Sequence, residues 1–508
     1  MQVRRVSQDR EIELKLLLDE GGAKQLRTHP ALKKVAHKTA RQVSIYYDTP
    51  DGALRNAGFS LRVRESKGRF LQTVKQQGAD SAGMFDRPEW EEEVESAEPD
   101  LDRAARTPLK EHLGKRTRKR LKPLIRSEME RTTWNVSRDG AAIELVLDEG
   151  TVTGGKSSER IAEVELELKS GDARDLIEFA RQLGQRAPLR LGVLTKAERG
   201  YALADGAVGR VVKAERIDLT PAMSAAEAFA AIAASCLRQF RLNETIVERT
   251  QDPSALHQAR VAMRRLRSAF TFFRPIIGDQ EFLTLREEVR WFTDQLGDAR
   301  NLDVLLKRIP GTQGADGTEK ELRRTLEAAR ERAYASVLET LASARLRRLM
   351  LDLVGWIGTG KWREAEMAQR PIGEFGRAQL DKRWRKVKKG GKHLAKLEIE
   401  TLHRLRIEVK KLRYAVEFLA SLEAREDALT RRKAFSAALE DMQEHLGELN
   451  DIETARELLQ SLLAGHPKAD EMLRSASRFI DKAAQKEDPV AGAEQAYGRL
   501  AEAGPFWR

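Results

Sequence analysis

Apolar and polar positions alternate along the first third of the chain. Alternation places apolar side chains on one face of a strand, so segments of period 2 between Asp9 and Lys169 predict eight strands. The predicted strands are Glu11–Leu18, Val43–Tyr47, Ser60–Glu65, Phe70–Lys75, Trp90–Val94, Glu128–Val136, Ala142–Asp148 and Ile161–Lys169. Short helices are predicted at Gly22–Thr28, Asp100–Leu113 and Asp172–Leu183. Eight strands with few helices predict a closed antiparallel barrel with flanking helices.

The hydrophobic pattern becomes helical beyond about Tyr201. From Ser224 onward, long segments rich in Ala, Leu, Glu and Arg repeat their apolar positions at helical spacing, which is typical of antiparallel bundles. Breaks in this pattern fall at Pro275, Pro310–Gly317, Gly355–Gly360, Gly390-Gly391 and Pro467. We therefore expect an α+β multidomain chain: a barrel over residues 1–202, a linker over 203–217 and an all-α region over 218–508.

Charge and cysteine content narrow the possible partners and compartments. The 508 residues include 91 Lys and Arg against 79 Asp and Glu, a formal net charge of +12. Such an excess favours polyanionic partners: nucleic acid, phosphate chains or an anionic membrane surface. Cys236 is the single cysteine, so no internal disulfide forms. We recognise no signal peptide after Met1–Arg10 and no apolar run of about 18 residues, so we expect a cytoplasmic protein without a membrane span.

Charged residues occupy one face of several predicted strands. They are Glu11, Glu13 and Lys15; Arg62 and Arg64; and Glu163, Glu165 and Glu167. A solvated sheet face explains any one such strand, but in a closed barrel all of these faces line one interior. Carboxylates there repel one another unless cations neutralise them, and their oxygens suit Mg²⁺ or Mn²⁺. Lys and Arg bind phosphate oxygens, so the pattern predicts a metal-dependent phosphohydrolase.

An ordered set of motifs supports this interpretation. The set comprises Glu11-x-Glu13-x-Lys15, Tyr46-Tyr47-Asp48-Thr49, Leu61-Arg62-Val63-Arg64, Thr73-Val74-Lys75, Arg87-x-Glu89-Trp90-Glu91, Arg131 with Trp134, Leu147-Asp148, the Glu163/Glu165/Glu167 strand and Lys196. Over roughly residues 9–202 the chain resembles the CYTH family, the triphosphate tunnel metalloenzymes. The resemblance implies an eight-stranded antiparallel tunnel whose cofactor is Mg²⁺ or Mn²⁺.

The resemblance also implies roles for individual residues. It implies metal ligands at Glu11, Glu13, Asp148, Glu163 and Glu165, with Glu167 on the same strand face. It implies triphosphate contacts from Lys15, Arg62, Arg64, Lys75, Arg131 and Lys196. It implies a catalytic set of Glu11, Glu13, Lys15 and Asp148, with a metal-bound water as nucleophile.

Three assignments stay open at this stage. The metal pair on the last strand is either Glu163 with Glu165 or Glu165 with Glu167. Arg126 and Arg131 are an odd number of residues apart, so they face opposite ways unless a bulge intervenes, and we favour Arg131. Arg87 either reaches the substrate or forms an ion pair with Glu89 or Glu91.

The helical part contains an internal duplication. His257-x-x-Arg260-x-x-x-Arg264-Arg265-x-Arg267 recurs at identical offsets as His403-x-x-Arg406-x-x-x-Lys410-Lys411-x-Arg413. Residues 295–303 and 445–453 form a second matched pair, in the same order. The first, fourth, eighth and eleventh positions share one helix face, so each copy predicts a cationic stripe for a polyanion. The alternative is a solvated surface, and each histidine contacts phosphate or packs at a helix junction.

These repeats resemble the CHAD domain over about residues 218–500. The resemblance implies a double helical bundle with pseudo-symmetry around a groove that binds inorganic polyphosphate. The implied binding residues are His257, Arg260, Arg264, Arg265, Arg267, His403, Arg406, Lys410, Lys411 and Arg413. Nucleic acid is disfavoured because the stripes hold no aromatic residue beyond Tyr414, and nucleic-acid sites stack bases on aromatic side chains.

The whole sequence thus predicts an inorganic triphosphatase that splits triphosphate into diphosphate and phosphate and carries a polyphosphate-binding helical domain. Alternatives are a nucleotide or thiamine triphosphatase or adenylate cyclase of the same fold, and a non-catalytic protein of polyphosphate granules. The expected partners are triphosphate and polyphosphate, in the cytoplasm or at such granules. No oligomeric state is predicted.

Overall fold

The structure, a computed structural model, describes residues 9–19, 21–78, 82–138, 140–309, 316–392, 394–423, 425–484 and 488–508. The chain divides into two compact units. Met1–Val211 and Ala344–Gly360 make up the barrel unit; Val212–Ser343 and Lys361–Arg508 make up the helical unit. The division at residue 211 falls inside the predicted linker, and residues 310–315 of one predicted helix break lie outside the described residues.

The barrel unit is built on a closed antiparallel sheet. Its strands are β1 (Asp9–Leu18), β2 (His37–Asp48), β3 (Phe59–Ser66), β4 (Arg69–Gln76), β5 (Met84–Val94), β6 (Lys122–Arg138), β7 (Ala141–Gly154), β8 (Ser157–Ser170) and β9 (Leu189–Leu191). The sheet order is β5-β4-β3-β2-β6-β7-β8-β1, and β5 pairs with β1 to close the barrel. The short β9 pairs with β1. The predicted eight-stranded antiparallel barrel is confirmed.

Helices flank the sheet of the barrel unit and make up most of the helical unit. They are α1 (Gly22–Arg27), α2 (Ala53–Asn56), α3 (Leu101–Ala104), α4 (Lys115–Arg120), α5 (Ala173–Gly184), α6 (Lys196–Ala204), α7 (Ala225–Thr250), α8 (Pro253–Phe272), α9 (Arg274–Ile277), α10 (Gln280–Gln295), α11 (Gly297–Arg308), α12 (Gly317–Ala342), α13 (Ala344–Thr359), α14 (Ile372–Gly390), α15 (Ile399–Phe418), α16 (Glu426–Leu463), α17 (Ala469–Ala484) and α18 (Pro489–Ala503). Short 3₁₀ turns lie at Pro108–His112, Lys361–Glu364, Glu366–Gln369, Leu394–Lys396 and Ala420–Leu422.

Apolar packing on the outside of the barrel leaves the inward face free for charges. Leu61, Val63, Val74 and Trp90 pack beneath the outer segments in one cluster with Leu54. Burying one such side chain stabilises the fold by about 1.5–3 kcal/mol. Because successive strand residues point to opposite faces, the neighbours of these residues must point inward.

The last helix of the barrel unit comes from far along the chain. In this unit α13 packs against α5 and β9. Arg181 Nε donates to Asp352 Oδ1 at 2.7 Å, and a Cβ placed on Gly355 would lie 2.8 Å from Ile177 Cγ2. Helix α13 is thus held in the barrel unit by an ion pair and by apolar contact with α5.

The helical unit confirms the predicted all-α region. Helices α7 and α8, and helices α16 and α18, make extensive pairwise contacts. One core joins Leu322 and Leu326 of α12 to Leu459 of α16 and Met472 of α17. Asp252 caps α8 by accepting hydrogen bonds from two backbone N–H groups of the first turn. This cap fixes the start of the helix that carries the first basic repeat.

Two details of the predicted helices are wrong. The predicted helix Asp100–Leu113 is divided, because α3 ends at Ala104 and Pro108 starts a separate 3₁₀ turn. Proline has no N–H to continue a helix. The predicted break at Gly355–Gly360 starts too early, since α13 continues to Thr359. Among the described residues, no helix combines the length and apolar character that crossing a membrane requires.

Candidate functional site

Strand register brings opposite charges directly across neighbouring strands inside the barrel. Arg131 on β6 faces Asp148 on β7, which in turn faces Glu163 on β8. Lys15 on β1 faces Glu165 on β8. Directly opposite residues have Cβ atoms about 5 Å apart, so these side chains meet without rearrangement. The register therefore assembles one site from residues as far as 150 positions apart.

Asp148, Glu163 and Glu165 form what we call the carboxylate cluster. One oxygen from each residue lies within 4.8 Å of the others. Asp148 and Glu163 are fully buried, and Glu163 Oε2 has no hydrogen-bond partner in the described part of the chain. Converging hard oxygen ligands suit Mg²⁺ or Mn²⁺. The carboxylate cluster therefore fits a divalent cation.

Three cations contact the carboxylate cluster. Lys196 Nζ lies 2.8 Å from Asp148 Oδ2 and 2.9 Å from Glu165 Oε1. Arg131 donates to both Asp148 oxygens, at 2.7 and 2.5 Å, and lies 3.0 Å from Glu165 Oε2. Lys15 also forms an ion pair with Glu165. Glu13 also lies 3.0 Å from Lys15 Nζ, so these three cations contact four carboxylates in this buried space.

Mutual attraction keeps these buried groups charged. Burial alone would lower the pKa of Lys15, but nearby carboxylates, Glu13 foremost, raise that pKa well above its usual value. Burial alone would raise the pKa of Asp148, but Lys196 and then Arg131 lower it to about 2. Lys196 and Arg131 therefore hold Asp148 in the ionised form in which a carboxylate binds a metal.

Lys196 reaches the barrel interior from the first turn of α6. Thr195 caps this helix, and Glu198 completes a capping box with it. Gly200 lets α6 approach β6 closely, because a Cβ there would overlap the side chain of Ile125. The Lys196 side chain is thereby buried and directed at the carboxylate cluster.

A second group of ion pairs continues along β1, β4 and β5. Lys75 Nζ lies 2.7 Å from Glu11 Oε2 and 3.1 Å from Glu89 Oε2. Arg87 Nε lies 3.5 Å from Glu11 Oε2, and Arg87 Nη2 lies 3.3 Å from Glu13 Oε2. Arg87 thus pairs with the β1 carboxylates, whereas the sequence suggested Glu89 or Glu91 as its ion-pair partners.

Arg62 and Arg64 supply donors that carboxylates leave unused. Arg62 Nε is buried and unpaired among the described residues, and its Nη2 is no closer than 3.7 Å to Glu89. Arg64 forms no hydrogen bond or ion pair within the described ranges; burial, and then the charges of Arg62 and Arg131, lower its pKa to about 10. Two guanidinium groups thus have N–H groups free for an anion.

The structure gives positions for the three β8 carboxylates and for the two β6 arginines whose assignment was left open. Glu167 lies outside the carboxylate cluster and pairs with Lys169 at 2.5 Å, so Glu163 and Glu165 are the two β8 carboxylates that Asp148 meets. Arg126 pairs with Glu128 at 2.8 Å, and both side chains are substantially exposed, whereas Arg131 lies inside. The opposite orientation expected for the two arginines is thus present.

The helical unit holds a concentration of positive charge where its two repeats meet. We call Arg260 and Arg264 of α8, Arg300 of α11, and Arg406 and Lys410 of α15 the cationic cluster. Arg264 lies close enough to lower the pKa of the other four. Within the described residues, Arg406 has the one ion pair of the cluster, 3.9 Å from Asp451 Oδ1. Arg260 Nη1 and Arg406 Nε are buried without hydrogen-bond partners.

Other residues of the implied polyphosphate-binding set have different surroundings. Arg265 is fully buried, and it donates to Glu417 at 2.8 Å and to Gln239 at 3.0 Å. Arg267 and Arg413 donate to neighbouring polar side chains, and Lys411 pairs with Glu408. His403 is exposed. Burial, and then the charges of Arg300 and Arg264, lower the pKa of the half-buried His257 to about 4.

Sequence reasoning missed several residues of the two sites. Tyr46 pairs with Arg62 across β2 and β3 and is buried in the barrel unit. Its motif alone predicted no role for it. Glu89 contacts Lys75. Arg300 lies in the first of the matched segments 295–303 and 445–453, so the duplication itself was the signal for it.

Comparison with known proteins identifies both parts of the chain. Models of the CYTH domain and the CHAD domain match residues 9–201 and 231–460. An inorganic triphosphatase from Haemophilus influenzae is 31% identical over 196 residues, which cover 38% of this chain and 54% of that protein. The chain thus spans about half the length of this curated relative.

Solved structures also resemble parts of the chain. The CHAD domain from the plant Ricinus communis is 29% identical, with a TM-score of 0.50, and the match covers 56% of this chain and 96% of that one. A Hippeastrum protein designated an adenylyl cyclase with a dominant triphosphatase activity is 21% identical, with a TM-score of 0.31, over 39% and 96% of the chains. The chain therefore joins an N-terminal CYTH domain to a C-terminal CHAD domain.

Proposed function

We propose that the barrel unit is a metal-dependent inorganic triphosphatase that hydrolyses triphosphate to diphosphate and phosphate. The observation that carries this proposal is the carboxylate cluster, enclosed with its three cations inside a closed barrel. A divalent cation bound there would supply charge neutralisation and an activated water. The Haemophilus influenzae relative, named an inorganic triphosphatase, favours triphosphate over a nucleotide as the substrate.

The proposed roles divide the barrel residues into two sets. Carboxylates hold the metal: Glu11, Glu13, Asp148, Glu163 and Glu165. Cations hold triphosphate: Lys15, Arg62, Arg64, Lys75, Arg131 and Lys196. The free N–H groups of Arg62 and Arg64 are the first available to phosphate oxygens, because the other cations begin in ion pairs. Fixed cations around the phosphates stabilise the charge that shifts during phosphoryl transfer.

The CHAD domain is proposed to bind inorganic polyphosphate through the cationic cluster. Among the described residues, these five partly buried cations have one carboxylate within ion-pair distance and repel one another, and a chain of phosphates relieves that repulsion. Arg300 joins the proposed binding residues, whereas Arg265 is proposed to support the bundle through its contacts with Glu417 and Gln239.

The barrel proposal is tested by a matched pair of substitutions. Glu165→Gln keeps the shape of a cluster ligand but removes its charge, so phosphate release from triphosphate with Mg²⁺ or Mn²⁺ should fall at least about 100-fold. Glu128→Gln removes a carboxylate of β6 that pairs with Arg126 away from the cluster, and it should leave turnover unchanged. Circular dichroism and thermal unfolding of both variants check their folding.

Parallel assays decide the substrate. Triphosphate, ATP and thiamine triphosphate are compared at equal concentration, and triphosphate should give the highest kcat/KM. Higher kcat/KM on ATP or thiamine triphosphate would identify a nucleotide or thiamine triphosphatase instead. Full activity of folded Glu165→Gln protein would contradict the site, and absence of turnover on all three substrates would favour a non-catalytic binding protein.

A further inference from the structure

The two copies of the basic repeat differ at two adjacent positions, where arginines of the first copy are lysines in the second. Arg264 in the first copy corresponds by its offset to Lys410 in the second. A guanidinium stays protonated throughout the physiological range, whereas a partly buried lysine amine loses its proton readily. Both residues belong to the cationic cluster, and both are half-buried. Lys410 is thus the one lysine of the cationic cluster, and it can exchange a proton where the corresponding arginine cannot.

The residues around Lys410 favour its neutral amine form. Arg406 lies four residues before Lys410 and Arg413 three residues after it on α15, so all three share one helix face. Helix α8, which carries Arg264, packs against α15. Asp451 on α16 is the carboxylate that faces it, and this side chain is shared with Arg406. Burial, and then the charges of Arg406 and Arg264, lower the pKa of Lys410 to about 7.

The remaining charged neighbours of α15 are engaged elsewhere. On α14, Lys386 lies 3.7 Å from Glu408, and Arg383 also acts on that carboxylate. Glu408 in turn pairs with Lys411 at 2.7 Å. The next lysine of the motif therefore has its own counter-ion, while Lys410 has none of comparable proximity among the described residues.

We propose that the CHAD domain binds a phosphate chain together with a proton, which is taken up by the Lys410 amine. This inference rests on the proposed polyphosphate function. A phosphate chain brought against the cationic cluster places negative charge beside Lys410 and offsets the repulsion from Arg264 and Arg406. The Nζ atom then accepts one proton from solvent and becomes an ammonium group that donates hydrogen bonds to phosphate oxygens.

Proton uptake has a measurable consequence for affinity. When one proton binds with the ligand, affinity falls about tenfold for each pH unit above the pKa of the free group. The CHAD domain should thus hold polyphosphate more tightly near neutral pH than at about pH 9. His257 is a less suitable acceptor in this range, because its pKa of about 4 would have to rise much further.

The test is isothermal titration calorimetry of the full chain with sodium polyphosphate of defined length, at about pH 8.5 with EDTA to prevent turnover. Repeating the titration in buffers of different ionisation enthalpy gives the number of protons bound. Wild-type protein should take up close to one proton per bound chain, and Lys410→Arg close to none. Lys386→Arg is the matched control, because Lys386 lies on α14 and pairs with Glu408 outside the cationic cluster, and it should take up as many protons as the wild type. His257→Gln removes the titratable histidine of the first repeat and should also keep the proton uptake of the wild type.

Each other result has a defined meaning. Binding without proton uptake in the wild type would overturn the proton linkage while leaving polyphosphate binding intact. Equal uptake by wild type and folded Lys410→Arg protein, or loss of uptake in His257→Gln, would overturn the assignment to Lys410. Absence of binding in the wild type, or unchanged affinity in Arg264→Ala, would instead overturn the proposed role of the cationic cluster.

Discussion

Replacing Lys196 by methionine should tighten metal binding while weakening triphosphate binding. The Lys196 ammonium group contacts all three members of the carboxylate cluster, at 2.8 Å from Asp148 Oδ2 and 2.9 Å from Glu165 Oε1. A divalent cation held by the same oxygens must displace this ammonium group. Methionine has similar length and no charge, so in Lys196→Met the carboxylates keep two cationic partners in place of three.

The size of the effect follows from Coulomb's law. Two unit charges about 4 Å apart interact by about 4 kcal/mol at the effective dielectric constant of about 20 that suits protein sites. We expect the gain in metal-binding free energy to be about half of one such interaction, about 2 kcal/mol, because the remaining cations relax and water enters the space that the ammonium group leaves. Because 1.4 kcal/mol is tenfold in affinity, Mn²⁺ should bind Lys196→Met about 30-fold more tightly than the wild type.

The assay is calorimetric titration with Mn²⁺ in the absence of phosphate compounds, followed by titration with triphosphate. Lys169→Met is the matched control, because Lys169 pairs with Glu167 on the same strand outside the carboxylate cluster. The control should bind Mn²⁺ as the wild type does. Unchanged or weaker Mn²⁺ binding by folded Lys196→Met protein would refute the competition between ammonium group and metal.

Three further predictions concern stability. Arg265→Ala should lower the free energy of unfolding by about 2–3 kcal/mol, because Glu417 and Gln239 lose the hydrogen bonds that the buried guanidinium donates. The polyphosphate affinity of the folded variant should nevertheless change less than about threefold. Gly355→Ala should destabilise by about 1–3 kcal/mol in urea unfolding because its Cβ crowds Ile177, whereas Gly447→Ala, with open space around it in α16, should stabilise slightly. The pKa of Lys410 is about 7 in the folded protein and about 10.4 in the unfolded chain, so between these pH values the folded protein binds fewer protons. Thermal stability should therefore rise with pH across that window, and it should rise less in Lys410→Arg. A wild-type stability that falls between about pH 7 and pH 9 in parallel with the variant would contradict this.

Local spacing was enough to predict much of the barrel. Alternation in β1 placed Glu11, Glu13 and Lys15 on one face, and the structure keeps all three inward. This works because successive strand residues point to opposite faces whatever the neighbouring strands are. The same argument separated Arg126 from Arg131 correctly.

Contacts between distant segments could not be predicted in this way. Alternation puts Glu167 on the same face as Glu165, and only the pairing of β8 with β7 and β1 determines that Asp148 meets Glu163 and Glu165. The implied polyphosphate-binding set likewise included Arg265, which tertiary packing buries against α7 and α15. Neither the register of two strands nor the neighbours of a helix is encoded in the spacing of one segment.

The sequence by itself determined the barrel-then-bundle order, the duplicated basic motif and the face on which most charged residues lie, because strand and helix periods are properties of the local backbone. The tertiary structure alone decided which carboxylates converge, that Arg300 joins the cationic cluster, and that α13 belongs to the barrel unit. Those outcomes depend on apolar burial and strand pairing between segments far apart in the chain, and such interactions exist only once the chain has folded.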